Sequence, residues 1–219
     1  MKLELYAQGK INLGLDVIGE RPDGYHEVKM IMQTVEVCDR LEFEDIDEDE
    51  IQLKSDAAFL PLDGDNLICK ACRLMKDEYD IKKGVRISLE KHIPVAAGMA
   101  GGSADAAAAL VAMNEIFALG LSRDRLMELG VKLGADVPYC IMKGTALSEG
   151  IGEKLTELAP MPDCYILIAK PGISVSTKEA YGGLVLDEHT LHPDIDGMVE
   201  AIKAGDLKGV TDRMGNVLE

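Results

Sequence analysis

The stretch Ile93-Pro94-Val95-Ala96-Ala97-Gly98-Met99-Ala100-Gly101-Gly102-Ser103-Ala104-Asp105 limits what this chain can fold into more than any other part of it. An alternating run with Val85, Ile87 and Leu89 precedes it, and an alanine-rich segment follows. That order predicts a strand from Gly84 to Glu90, a glycine-rich loop, and a helix over about 103–118. Such a loop leaves main-chain N–H groups unpaired, and the helix start behind it adds partial positive charge, so the combination can cradle phosphate. The other reading is a tight strand-to-helix turn with small residues for packing. No Gly-Lys-Ser/Thr follows, which excludes a Walker A loop, and the spacing is not that of a dinucleotide fingerprint.

The charge balance narrows the partners. A net charge of −16 argues against a broad nucleic-acid or anionic-membrane surface, yet leaves room for a small anion held in a local pocket of amides. Much of the acidity lies in the run from Glu42 to Glu50, expected as a solvated hairpin tip. No apolar run approaches a membrane span, and the N-terminus with Lys2, Glu4 and Lys10 does not read as a signal peptide. The five cysteines form no framework. Cys69 and Cys72 share a helical face and read as buried packing, which fits a reducing cytosol. With no Trp and three Phe, the core must rest on aliphatic and Met side chains.

From the N-terminus, Leu3, Leu5 and Ala7 predict one strand. Leu13, Leu15 and Val17 predict a second from Ile11 to Ile18, the two forming a hairpin whose other face carries Lys10 and Asn12. Pro22-Asp23-Gly24 is a turn that leaves Tyr25 and His26 at a strand edge. Residues 27–38 and 40–54 read as strands. Asp65-Asn66 can cap a helix to about Tyr79, and Ser122 one to about Leu133, ended by Gly134. Asp136-Val137-Pro138-Tyr139 follows directly. Residues 144–158 predict a hairpin with its turn at Gly150-Ile151-Gly152-Glu153. The character changes near Pro160-Met161-Pro162, which predicts a domain of residues 1–158 and a second of 159–219. Tyr165 to Lys170 reads as a strand, Ser176-Thr177-Lys178-Glu179 as a capping box opening a helix with Tyr181, and residues 194–204 and 206–214 as short helices. Strands and helices come in blocks, so the fold class expected is α+β.

Three separated stretches act together: Gln8-Gly9-Lys10-Ile11-Asn12-Leu13, the glycine loop 94–104, and Leu133-Gly134-Ala135-Asp136-Val137-Pro138. The set resembles the GHMP kinase superfamily of small-molecule kinases. Arg21-Pro22-Asp23-Gly24-Tyr25-His26 is similar to the marker of one branch, whose acceptor is a methylerythritol unit linked to cytidine diphosphate. The resemblance runs from the first residue to the last. It implies ATP-dependent phosphorylation of the acceptor 2-hydroxyl, on the route to isoprenoid precursors that bypasses mevalonate. It implies a GHMP-kinase-like two-domain fold with mixed sheets and helices on one side: residues 1–158 for ATP and catalysis, 159–219 for substrate, and the active site between them. The family loop carries more glycine than Ala96-Ala97-Gly98-Met99-Ala100, but alanine offers the same N–H. Family sequences continue past Asn216-Val217-Leu218-Glu219 to a third glycine-rich motif, so the second domain is expected to be incomplete.

The resemblance also assigns roles. Asp136 is the candidate base for the attacking hydroxyl, and Lys10 the cation that keeps it ionised and favours the developing alkoxide. Pro94, Ala97, Gly98, Met99, Ala100, Gly101, Gly102, Ser103 and Ala104 are the expected ATP-binding residues, with Asn66. The Ser103 hydroxyl either binds phosphate or caps the helix. Mg²⁺ is expected with the nucleotide on chemical grounds, with no protein ligand assigned. Asn12 shares a strand face with Lys10 and can bond substrate hydroxyls. Tyr25 and Tyr181 are expected to sandwich the cytosine, with His26 on its edge and Thr177 as a further substrate contact. The alternatives are another kinase of the superfamily, acting on mevalonate, homoserine or a sugar, and a catalytically silent nucleotide-binding module. The protein is expected to act on small molecules in the cytoplasm as a monomer or weak homodimer, without nucleic acid or membrane.

Overall fold

The computed structural model describes every residue except Asp23, 173–176, Glu188 and Glu219, and does not describe the side chains of 177–179. The chain divides into two compact units. The first comprises Met1–Gly9, Glu36–Val95 and Met99–Met142; the second comprises Lys10–Val35, Ala96–Gly98 and Lys143–Glu219. Two long strands, β1 (Lys2–Glu20) and β2 (His26–Ile46), pass through both.

In the first unit the strand order is β3 (Ile51–Ser55), β4 (Gly84–Glu90), β2, β1. β4 runs antiparallel to β2, with Leu41 opposite Leu89, and parallel to β3, with Leu53 opposite Ile87. Inward residues alternate as a half-buried sheet requires: Leu41 and Phe43 on β2, Val85, Ile87 and Leu89 on β4. Four helices complete the unit. They are α1 (Leu67–Tyr79), α2 (Gly101–Ile116), α3 (Arg123–Val131) and α4 (Val137–Met142). α2 buries Ala104, Ala106, Ala107, Ala108, Ala109 and Ala112, and these small side chains let it lie against both α1 and α4. Cys69 and Cys72 of α1 are buried, and burial pushes both thiols above their ordinary range, so packing is their role.

In the second unit β5 (Thr145–Gly150) pairs antiparallel with both the first half of β2 and β6 (Lys154–Glu157). A short strand β7 (Gly215–Asn216) runs parallel to β1. The helices are α5 (Thr177–Gly182), α6 (Ile195–Lys203) and α7 (Leu207–Thr211). Asp194 and Asp206 cap α6 and α7, accepting from Gly197 and Gly209 amides at 2.9 and 3.0 Å. Leu13, Ile31, Ile195, Met198 and Ile202 form the centre of this core. Gly14 lets α6 approach β1, since a Cβ there would meet Ile195 Cδ1 at 2.7 Å.

The fold is α+β with a mixed sheet, as expected. Three local expectations change. The N-terminal hairpin is one continuous strand. Gly9 is no turn: a Cβ there would lie 3.4 Å from Val37 O and 3.5 Å from Ile93 Cδ1 and Met99 Cε, so glycine permits close packing inside the strand. The acidic run is solvated at 47–50 as expected, but it is not a hairpin tip, because β4 inserts between β2 and β3. Glu44 pairs with Arg86 at 3.1 Å, Asp47 with Lys83 at 2.8 Å and Asp49 with Lys76 at 2.6 Å. Residues 165–170, expected as a strand, are irregular, with Tyr165 and Leu167 exposed. The hairpin 145–157 pairs with the first half of β2 within the second unit. The capping-box Ser176 and the turn residue Asp23 lie outside the described residues.

Candidate active site

The glycine loop between β4 and α2 has an unusual backbone. Ala96, Gly98 and Ala100 take φ of +53°, +68° and +55°, alternating with residues of ordinary φ. Such alternation can turn successive amides toward one side and form an anion-binding concavity. Only glycine enters the left-handed region without cost; each alanine gives up about 1–2 kcal/mol there. Strain of that kind, held by surrounding structure, is characteristic of a functional loop. Ala100 is the N-cap of α2 and supplies no side-chain cap. The first helical bond runs from Ala104 N to Ala100 O at 2.8 Å, so the amides of Gly101, Gly102 and Ser103 stand ahead of it. Ser103 lies within the first turn and is not the cap.

Two further expected elements border the loop within the first unit. A Cβ on Gly102 would lie 3.6 Å from Leu67 Cδ1, at the start of α1, and one on Gly134 would lie 3.9 Å from Ser103 Oγ. Asp136 immediately precedes α4, and its carbonyl accepts from Cys140 N at 3.0 Å. It therefore opens a helix instead of merely following one. Pro138 in the first turn is tolerated because that turn's amides need no helical partner. Asn66 is committed to structure: Oδ1 accepts from Ile68 N at 2.9 Å and Nδ2 donates to Pro61 O at 2.8 Å. Pro94 and Ala97 are half-buried, while Met99 is buried.

In the second unit Lys10, 5% exposed, donates to Asn12 Oδ1 at 3.1 Å. They stand two apart on β1 and so share one face. The turn after β1 closes with Gly24 N bonded to Arg21 O at 3.0 Å and Arg21 N to Tyr25 O at 2.7 Å. Arg21 also pairs with Glu27 at 3.1 Å. The His26 and Tyr181 rings lie 5.1 Å apart, tilted by 40°. The ring contact described is thus with His26, and Tyr25, 59% exposed, stands beside it in the chain. Thr177 opens α5, but its side chain lies outside the described residues.

A buried charge cluster under the loop was not anticipated. Asp39 Oδ1 accepts from the amides of His92 and Ile93 at 2.6 and 2.8 Å, and its Oδ2 pairs with Lys91 Nζ. Lys91 Nζ also donates to Asp105 Oδ2 at 2.8 Å. The three side chains are at most 6% exposed. Burial raises the Asp105 carboxyl to about 7, with Lys91 lowering it and Asp39 raising it further. Asp105 Oδ1 is buried without a partner among the described residues. The sequence held a signal for this cluster. Asp39 falls in the inward register of Leu41 and Phe43, and Asp105 interrupts an alanine run.

Comparison with known proteins accords with this architecture. Residues 66–144 match the GHMP kinases N terminal domain. The chain is 57% identical over 217 residues to 4-diphosphocytidyl-2-C-methyl-D-erythritol kinase of Lachnospira eligens, covering 99% of this chain and 75% of that protein. It is 56% identical to the protein of the same name from Lachnoclostridium phytofermentans, over the same shares. A crystal structure of 4-(cytidine 5'-diphospho)-2C-methyl-D-erythritol kinase superposes with a TM-score of 0.78 at 30% identity, over 99% of this chain and 76% of that one. At such identity over nearly its whole length, the chain belongs to the 4-diphosphocytidyl-2-C-methyl-D-erythritol kinase family of the GHMP kinases.

Proposed function

We propose that this chain transfers the γ-phosphoryl group of ATP to the 2-hydroxyl of 4-diphosphocytidyl-2-C-methyl-D-erythritol, in the mevalonate-independent synthesis of isoprenoid precursors. The observation that carries the reading is 57% identity to a kinase of that name across 99% of the chain. The loop backbone supports the nucleotide half. Left-handed Ala96, Gly98 and Ala100, followed by an uncapped helix start, suit the phosphates of a nucleotide.

Phosphoryl transfer asks a protein mainly for positioning, charge compensation and the handling of one proton. In this reading Gly98 through Ala104 hold the donor phosphates. Asp136 takes the proton of the acceptor hydroxyl as its oxygen bonds to phosphorus and ADP departs. The Lys10 charge favours the alkoxide as it develops, and Asn12 holds both the Lys10 ammonium and an acceptor hydroxyl. His26, Tyr181 and Tyr25 form the recognition surface for the cytosine, and Thr177 is a further substrate contact. Mg²⁺, expected with the nucleotide, would supply neutralisation of the donor-phosphate charge that the loop amides hold. Among the described residues no group of three His, Cys, Asp or Glu is placed to hold a metal ion alone. The proposed location is the cytoplasm; no helix among the described residues is long and apolar enough to cross a membrane.

The test is ADP release with the cytidine substrate, mevalonate and homoserine in parallel, for the wild type and Asp136→Asn. The expected result is turnover with the cytidine compound alone, and a loss of at least about 100-fold in kcat for the variant with ATP affinity nearly unchanged. Turnover with mevalonate but not the cytidine compound would reject the reading. A wild-type kcat in the variant would remove Asp136 from the mechanism.

A further inference from the structure

The cluster of Asp39, Lys91 and Asp105 sits where the nucleotide loop joins the fold. Its members come from three places: β2, the segment after β4, and the first turns of α2. Asp39 binds the amides of His92 and Ile93, so it fixes the chain as it enters the loop. Lys91 reaches from the same segment to Asp105, which lies just past the loop's exit. Entry and exit are therefore joined by one ammonium. Gly101 records how tightly: a Cβ there would lie 3.0 Å from both Lys91 Nζ and Ile93 Cγ2.

A buried charge cluster is a poor source of stability, because desolvation offsets much of the attraction. Its benefit lies in geometry. Two carboxylates about one ammonium allow few arrangements, and each bond shortens the list. A loop that holds alanines at positive φ needs that kind of external constraint.

We propose that Asp39, Lys91 and Asp105 are positioning residues for the nucleotide: the bridge from Lys91 to Asp105 holds the two flanks of the glycine loop at the separation that lets its amides receive the donor phosphates. The inference rests on the nucleotide reading given above. It makes Asp105, buried and remote from solvent, a determinant of ATP affinity through Lys91. Asp105 Oδ1 has no partner among the described residues, so the side chain is placed through Oδ2, which receives Lys91, and through its contact with Asp39 in the same cluster.

Asp105→Ala and Asp105→Asn separate this role from ordinary structural support. The alanine variant removes the bridge, yet leaves Lys91 neutralised by Asp39 and suits the helix. The asparagine variant keeps an acceptor for Lys91 in the same place. ATP affinity is read directly by titration calorimetry, beside the KM of both substrates and the cooperativity of melting. We expect Asp105→Ala to weaken ATP binding at least tenfold while leaving the acceptor KM within about twofold, and Asp105→Asn to restore ATP binding to within about threefold of the wild type. ATP affinity in the alanine variant equal to that of the wild type would overturn the inference. So would a parallel rise of both KM values with a broadened melt, which would mark general loosening. A wild-type chain that binds ATP but turns over no acceptor would defeat the functional reading alone, and one that binds no ATP would overturn both.

Discussion

Burial raises the Asp105 carboxyl from its ordinary 3.8 to about 7, and that shift makes stability depend on pH. Below 3.8 the proton is bound whether the chain is folded or not. Between 3.8 and 7 only the folded chain keeps it, so the folded state is favoured by acid, and stability falls as pH rises through that window. Above 7 neither state holds the proton and the dependence ends. The limiting slope is about 1.4 kcal/mol per pH unit for one group. Many carboxylates titrate in the same range, so the difference from Asp105→Asn isolates this one. The gap in melting temperature between wild type and variant should move against the wild type from pH 5 to 7 and level off above 7.5. A constant gap would show that Asp105 is not the titrating member. Asp105 also marks a limit of sequence reading at this scale. Lys10, Asp136 and the glycines follow from motif context, whereas Asp39, Lys91 and Asp105 lie in no motif. Their signal is a charge in an inward register, visible only once β2 is known to continue through Asp39.

At the scale of elements, α1 shows which starts and stops can be read in advance. Asn66 was legible as a cap, and its Oδ1 holds the Ile68 amide at 2.9 Å. Asn66→Ala should therefore cost about 1 kcal/mol, the usual worth of such a cap, and Asn66→Ser should recover most of it. For a chain of this size about 1 kcal/mol lowers the melting temperature by ~2–4 °C, which thermal unfolding resolves. An unchanged melt in the alanine variant would mean that the α1 start is held by its packing. If the alanine variant also loses ATP affinity but the serine variant does not, Asn66 acts on the nucleotide by fixing the helix start and not by direct contact. Other elements were less legible for identifiable reasons. Nothing local shows that β1 continues through Gly9, because the tertiary neighbours that require glycine there, Val37, Ile93 and Met99, are distant in sequence. α4 was missed because it has six residues and a proline in its first turn. The irregular run 165–170 has the period of a strand, but period alone supplies no hydrogen-bonding partner. The hairpin 145–157 was legible because its turn is local: Gly150 and Gly152 sit at φ of +74° and +109°, and Glu153 accepts from Ile151 N at 2.7 Å.

Across the whole molecule, acids outnumber bases by 39 to 23, giving the net charge of −16. Two effects of salt then compete. Screening weakens the surface pairs, such as Glu44 with Arg86 and Asp47 with Lys83, but exposed pairs of this kind are each worth little. Screening also relieves repulsion among the excess carboxylates, which acts over distances longer than a contact and grows with the square of the net charge. At about 0.15 M ionic strength the Debye length is ~8 Å, short enough to remove most of that repulsion while close pairs survive. Repulsion should dominate, so raising sodium chloride from about 20 to 200 mM at pH 7.5 should raise the melting temperature, by ~2–4 °C for each kcal/mol relieved. Chloride is the proper anion, since sulfate would also strengthen apolar burial and blur the reading. A fall in melting temperature would show that the paired charges, taken together, outweigh the excess acidity. In that case the lysines and arginines clustered on the acidic run, Lys76, Lys83 and Arg86, would be its principal stabilisers, and neutralising Lys83 would depress the melt at low salt more than at high salt.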